Sequence, residues 1–62
     1  MDFTGYTLRV IKECPLLEIG QMVYCINDCR ERRIFIVWSN KEIFGVNQIN
    51  LPYERRGCFK II

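Results

Sequence analysis

The sequence contains no histidine among its 62 residues. Histidine is the side chain that most often acts as a general base and that usually activates a catalytic cysteine. Carboxylates such as Asp28 and Glu31 are poor substitutes in that role. No cofactor-binding motif is present either. We therefore predict a protein that is not an enzyme and that needs no cofactor.

Long apolar runs are also missing. No segment approaches the roughly 18 consecutive apolar residues that indicate a membrane-spanning helix. A signal peptide begins with basic residues followed by an apolar stretch, whereas Asp2 occupies that position in this chain. We therefore expect a cytoplasmic protein that has no contact with a membrane and whose thiols stay reduced.

A strong excess of charge is absent too, because nine basic and seven acidic side chains leave a net charge of +2. Dedicated nucleic-acid binders usually have a more basic domain with clustered lysine and arginine. The arginines of this chain instead form two small clusters that acidic residues flank. The first contains Arg30, Arg32 and Arg33, and the second contains Arg55 and Arg56.

The sequence does contain short apolar segments separated by polar turns, without the period of an amphipathic helix. This pattern predicts strands at residues 6–13, 22–26, 34–38, 43–46 and 58–62. The predicted connections are a polar loop at 27–33, a hairpin turn at 39–42, a 3₁₀ turn at 47–50 and a turn at 53–57. Strands at this spacing indicate an all-β single domain over residues 1–62, a small five-stranded antiparallel barrel with one 3₁₀ turn.

Alternation in the first strand places Leu8 and Val10 on the inward face. The hairpin at residues 32–46 is the frame of the predicted fold, and its apolar residues 34–37 are expected in the core. Trp38 either covers the core or stands exposed as an anchor, because tryptophan is rarely fully buried. Residues 22–26 are apolar throughout, so alternation does not indicate which of their faces points inward.

This pattern resembles the Src homology 3-like barrels, and among them the very small proteins of phage and prophage genomes. The resemblance covers most of the chain and is carried by an opening strand at 8–12, the Ile19-Gly20 loop end, the hairpin at 34–46 and a closing strand at 59–62. It implies a barrel that binds a protein, as an inhibitor or adaptor that acts on a host protein or defence complex.

Peptide-binding members of that fold hold Pro-rich ligands in an aromatic groove. In this chain Trp38 lies at the end of its strand, residues 47–49 lack the tyrosine that completes the groove, and the loop at 27–33 is net basic. Pro-rich ligands are therefore not expected.

Four cysteines are present, and four thiolates could hold one zinc ion. Zinc ribbons usually pair cysteines two residues apart, whereas only Cys25 and Cys29 are near each other here. We predict free thiols and no metal. A disulfide that involves Cys14, Cys25 or Cys29 is one alternative, and a zinc site is the other. The zinc alternative would use Cys14, Cys25, Cys29 and Cys58.

A barrel this small has no room for an internal pocket, so we expect binding to use surface side chains. The predicted partner-binding residues are Arg30, Arg32, Arg33, Trp38, Tyr53, Arg55 and Arg56. We favour a host or phage protein as the partner, because arginine and aromatic side chains anchor protein interfaces.

Three other interpretations stay open. Binding of RNA or single-stranded DNA would use the first arginine cluster together with the neighbouring Tyr24 and Phe35. Alternatively, the arginines are solvated and only keep the domain soluble. Finally, a free edge on the last strand could pair with a second copy and form a homodimer.

Overall fold

Alternating apolar side chains organise the chain into one antiparallel sheet. The computed structural model describes residues 1–62, with strands β1 (Thr7–Val10), β2 (Met22–Cys29), β3 (Ile34–Ile43), β4 (Val46–Pro52) and β5 (Phe59–Ile61). A 3₁₀ helix at Tyr53–Cys58 connects β4 to β5. The prediction of an all-β fold with five antiparallel strands and one 3₁₀ turn is confirmed.

The strand order in the sheet is β4-β3-β2-β1-β5, and every neighbouring pair is antiparallel. The 3₁₀ helix carries the chain from one edge of the sheet to the other, where Phe59 pairs with Val10. Because β4 and β5 each pair on one side only, the sheet is open and a closed barrel is not confirmed. Pairing of β5 with a second copy stays a prediction.

One face of the sheet carries the hydrophobic core. The Phe35 ring lies at its centre and meets the rings of Phe59 and Phe3 edge to face, with centroids 5.2 and 6.4 Å away. Leu8 and Val10 are fully buried, which confirms the inward face predicted for the first strand. The other buried apolar residues are Cys14, Leu17, Val23, Cys25, Val37, Ile49, Leu51 and Cys58.

The prediction for residues 34–37 was only half right. Phe35 and Val37 are buried, whereas Ile34 and Ile36 are half-buried on the opposite face of β3. Alternation along a strand sends successive side chains to opposite faces, so four consecutive apolar residues cannot all enter one core. The sequence shows no alternation here because the outward residues, Ile34 and Ile36, are apolar as well.

The polar loop predicted at 27–33 is shorter, because β2 continues through Asn27 to Cys29. A β-bulge between Cys25 and Asn27 shifts the register, and Asp28 turns into the interior. Its buried carboxylate accepts hydrogen bonds from the Phe3 backbone N–H at 2.8 Å and from Arg56 Nε at 3.0 Å. These partners satisfy a charged side chain inside the strand, where burial would otherwise be costly.

The hairpin turn predicted at 39–42 is also wrong, because β3 continues to Ile43. Ser39 is fully buried, and its hydroxyl accepts a hydrogen bond from Gln21 Nε2 at 2.8 Å and donates one to the Lys41 carbonyl at 3.0 Å. The chain reverses instead at Phe44 and Gly45, which both have positive φ. A two-residue hairpin loop with this combination is typical of a type I′ turn.

The segment at 47–50, predicted as a 3₁₀ turn, lies within β4, and the strand predicted at 43–46 spans the actual turn. Ile49 and Leu51 are buried and alternate with exposed Gln48 and Asn50, which is the pattern of a half-buried strand. The 3₁₀ segment lies where a simple turn was predicted, at Tyr53–Cys58. No helix in the structure is long and apolar enough to cross a bilayer.

Candidate functional site

The face of the sheet opposite the core exposes three large apolar side chains in its central strands. Met22 and Tyr24 of β2 and Trp38 of β3 are 56%, 47% and 41% exposed. Tyr24 lies directly opposite Trp38, and residues paired in this way project from the same face. Val23 and Cys25 point into the core, so alternation fixes Met22 and Tyr24 on the outside.

Polar and basic side chains surround these three. Thr7 pairs with Tyr24, Gln48 pairs with Trp38, and Arg9 pairs with Met22 on one side and with Lys60 on the other. We call this surface the outer face, and it consists of Thr7, Arg9, Met22, Tyr24, Trp38, Gln48 and Lys60. None of these side chains carries a carboxylate. The outer face is therefore an aromatic patch with two cations beside it.

The first arginine cluster lies in the turn between β2 and β3, where Arg30, Arg32 and Arg33 are all exposed. Arg33 has a positive φ of 54°, and its guanidinium forms a salt bridge with Glu54 of the 3₁₀ helix. This contact brings the first cluster beside the segment that carries the second. Arg30 and Arg32 form no salt bridge.

Arg56 of the second cluster is half-buried and holds the fold together. Its guanidinium pairs with Asp28, donates to the Met1 carbonyl and lies over the Phe3 ring, 4.3 Å from the centroid. The half-buried Tyr53 ring lies on the same guanidinium, 5.7 Å away. Arg56 therefore fastens the N-terminal segment to β2, while Arg55 stays exposed beside Glu13 and Pro15.

The predicted site residues thus lie in separate places. The first arginine cluster, Tyr53 and Arg56 gather at the end of the sheet where β3 begins, and Arg55 lies apart from them beside Glu13 and Pro15. Trp38 lies four residues farther along β3. A strand rises about 3.3 Å per residue, so Trp38 is roughly 13 Å along β3 from Ile34.

Sequence reasoning did not assign Arg9, Met22 or Lys60 to a site. It placed Tyr24 with Phe35 in the nucleic-acid alternative, and Phe35 is buried in the core and cannot stack on a base. Only the pairing register across β1, β2, β3 and β5 reveals that Arg9, Met22, Tyr24 and Lys60 share a face with Trp38.

Phe44 is a further exposed aromatic residue, and the sequence did not single it out. It forms the tip of the β3–β4 hairpin, has a φ of 52° and is 91% exposed. The left-handed conformation costs an ordinary L-residue about 1–2 kcal/mol, and a bulky residue adopts it rarely. The Phe44 ring is therefore exposed to water, and its backbone conformation is strained. Ile43 and Val46, on either side of the turn, pair with each other.

All four cysteines are free thiols, and no group of three or more histidine, cysteine or acidic side chains is placed to hold a metal ion. The cysteines therefore do not converge as the zinc alternative requires. Burial raises the pKa of Cys14 to about 11, with a smaller contribution from the neighbouring Cys58 thiol. Burial likewise raises the pKa of Cys25 to about 11, and the nearby Asp28 carboxylate adds to the effect.

Cys29 is expected to be the first thiol to react with iodoacetamide at pH 8. It is half-buried at the end of β2, whereas the other three thiols are buried. With a pKa near 11, about one in a thousand of the Cys14 or Cys25 thiols is ionised at this pH. Mass spectrometry should show a single adduct on the intact protein, and a peptide digest should locate it at Cys29. Labelling of Cys14 and Cys25 should accelerate as the pH approaches 11. Equal early labelling of Cys14 or Cys25 would contradict the burial described here.

Comparison of the chain with protein-family models, with curated proteins and with solved structures gives no match. Function is therefore inferred from the surface chemistry of the chain itself.

Proposed function

We propose that this protein is a non-enzymatic binding module with a Src homology 3-like fold, and that its outer face contacts a partner protein. The fold proposal is supported by the open five-stranded antiparallel sheet, by Gly20 before β2 and by the 3₁₀ helix that precedes the closing strand. Following the resemblance to small phage proteins, we propose that the partner belongs to the host cell and that binding inhibits or redirects it.

The observation that supports binding most strongly is the exposed Tyr24–Trp38 pair at the centre of the sheet. Tryptophan, tyrosine, methionine and arginine are enriched in protein interfaces, and tryptophan, tyrosine and arginine dominate their energetic hot spots. The outer face contains one or more of each. β2 and β3 pair with strands on both sides, so they hold these side chains on a rigid platform and little conformational entropy is lost on binding.

Binding of a single-stranded nucleic acid is the second candidate. Arg9 pairs with Met22 next to the aromatic pair, and Lys60 lies one strand farther out, beside Arg9. Single-stranded nucleic acids are bound by aromatic side chains that stack on bases together with cations that contact phosphates. We favour a protein because only two cations belong to the outer face. Of the other arginines, Arg33 and Arg56 are engaged in salt bridges with Glu54 and Asp28.

Replacing Trp38 with alanine is expected to weaken binding of the partner about 30-fold, which is the effect of removing one hot-spot aromatic residue. Stability should fall by only about 1 kcal/mol, because the ring is 41% exposed and a cross-strand contact such as that with Tyr24 contributes no more than this. The partner is first captured with the tagged protein from host-cell lysate, identified and purified, and its Kd is then measured by calorimetry. Gln48→Ala, which alters the directly paired neighbour of Trp38, is the matched control and should bind within a fewfold of the unmodified protein.

The same titration with a single-stranded oligonucleotide separates the two candidate functions. If nucleic acid is the partner, affinity is high at low salt, falls steeply as salt increases and depends on Arg9 and Lys60. If Trp38→Ala binds the partner protein with unchanged affinity and Arg32→Ala/Arg33→Ala binds it more weakly, the binding surface is the β2–β3 turn and not the outer face.

A further inference from the structure

The tip of the β3–β4 hairpin is built in a way that folding does not require. A type I′ turn is most favourable with Asn-Gly, because asparagine and glycine tolerate positive φ. Phe44 occupies the first of these positions at a φ of 52°, with its ring 91% exposed. The residue neither suits the turn nor packs into the core, so its presence points to a contact outside the chain.

The surroundings of Phe44 are apolar and contain no free cation. Ile43 is half-buried, Val46 is exposed, and the two pair across the turn. The nearest charged residues in sequence are Glu42 and Lys41, and Lys41 Nζ lies 3.3 Å from a Glu18 carboxylate oxygen. Glu42 forms no salt bridge, and the only cation near the tip is already paired, so Phe44 gains little from a polyanion, whether nucleic acid or an anionic membrane.

We propose that Phe44 is an anchor residue that inserts into an apolar pocket on the partner protein. The inference rests on the proposed protein-binding function and adds a second contact to it, at the end of the hairpin that also carries Trp38. A two-residue turn holds the backbone of Phe44 at a fixed φ, so little backbone freedom is lost when the ring enters a pocket. The pocket must be lined by apolar side chains, because Phe44 and the flanking Ile43 and Val46 offer no side-chain hydrogen bond or charge.

Phe44→Asn separates the role of this residue in folding from its role in binding. It creates the Asn-Gly pair preferred in a type I′ turn, so the midpoint of urea unfolding is expected to rise or stay unchanged. Affinity for the purified partner captured from lysate is expected to fall about 30-fold. Phe44→Leu, which keeps an apolar side chain at the tip, should retain most of the affinity.

The outcomes distinguish this inference from the proposed function. If Trp38→Ala weakens binding and Phe44→Asn does not, the outer face is the interface and the anchoring role proposed for Phe44 is wrong. If no host protein is captured, or if neither variant changes affinity, both proposals fail. If the unmodified protein binds vesicles of phosphatidylcholine and phosphatidylserine and Phe44→Asn does not, Phe44 inserts into a membrane and not into a protein pocket. If the unmodified protein self-associates in sedimentation equilibrium and Phe44→Asn stays monomeric, the partner of Phe44 is a second copy of this chain.

Discussion

Replacing Phe35 with alanine is expected to leave the chain largely unfolded at room temperature. Phe35 is almost completely buried, and its ring contacts both Phe3 and Phe59. Truncating a buried phenylalanine to alanine typically costs about 3–5 kcal/mol, from lost apolar burial and from the cavity left behind. A single hydrophobic core in a chain this small rarely supplies more than about 3–5 kcal/mol of net stability, so the substitution removes most or all of it.

Urea unfolding followed by tryptophan fluorescence measures this loss, because Trp38 is the single tryptophan of the chain. Phe44→Ala is the matched control: it removes the same side chain from an exposed position and should change stability by less than about 1 kcal/mol. A Phe35→Ala protein that unfolds within about 1 kcal/mol of the unmodified chain would contradict the core described here.

Replacing Arg56 with alanine is expected to lower the free energy of unfolding by about 3 kcal/mol. The substitution leaves the Asp28 carboxylate, whose side chain is only 2% exposed, without the cation that compensates its charge. It also removes the guanidinium from the Phe3 ring and from the Met1 carbonyl, so the N-terminal segment loses these contacts with the 3₁₀ helix.

Arg33→Ala is the control for this prediction because Arg33 also belongs to a salt bridge. Arg33 and Glu54 are both largely exposed, and pairs of that kind contribute less than about 1 kcal/mol. Chemical denaturation of the two variants should therefore give clearly different midpoints. Equal losses would mean that the Arg56–Asp28 pair is as accessible to water as the Arg33–Glu54 pair.

The sequence predicted well those features that depend on neighbouring residues. Period-two alternation identified Leu8 and Val10 as core residues, and turn chemistry around Pro15 and Gly20 separated the first two strands. The presence of five strands and their antiparallel arrangement also followed from local patterns. Each of these features requires only the residues within a few positions of it.

The features that were predicted wrongly depend on contacts between distant parts of the chain. Asp28 enters a strand because Arg56, 28 residues later, neutralises it. Ser39 remains in β3 because Gln21 provides a hydrogen bond from the loop before β2. Neither polar residue looks like a strand residue until its partner is known, so both were assigned to loops.

The candidate site was only partly predictable for the same reason. Trp38 was singled out as an aromatic residue near a turn, and its exposure is now clear. Its neighbours Tyr24 and Met22 lie in an apolar segment whose two faces look alike in the sequence. Only the pairing of β2 with β3 shows that both side chains belong to the outer face. The binding roles of Arg30, Arg32, Arg33, Tyr53, Arg55 and Arg56 stay predictions.

NMR titration of isotope-labelled protein with the purified partner tests the proposed interface most directly. We expect the largest amide shift changes at Met22, Tyr24 and Trp38, with a second group at the hairpin tip around Phe44. Changes confined to the turn at residues 30–33 and the 3₁₀ helix, with Tyr24 and Trp38 unaffected, would contradict binding through the outer face.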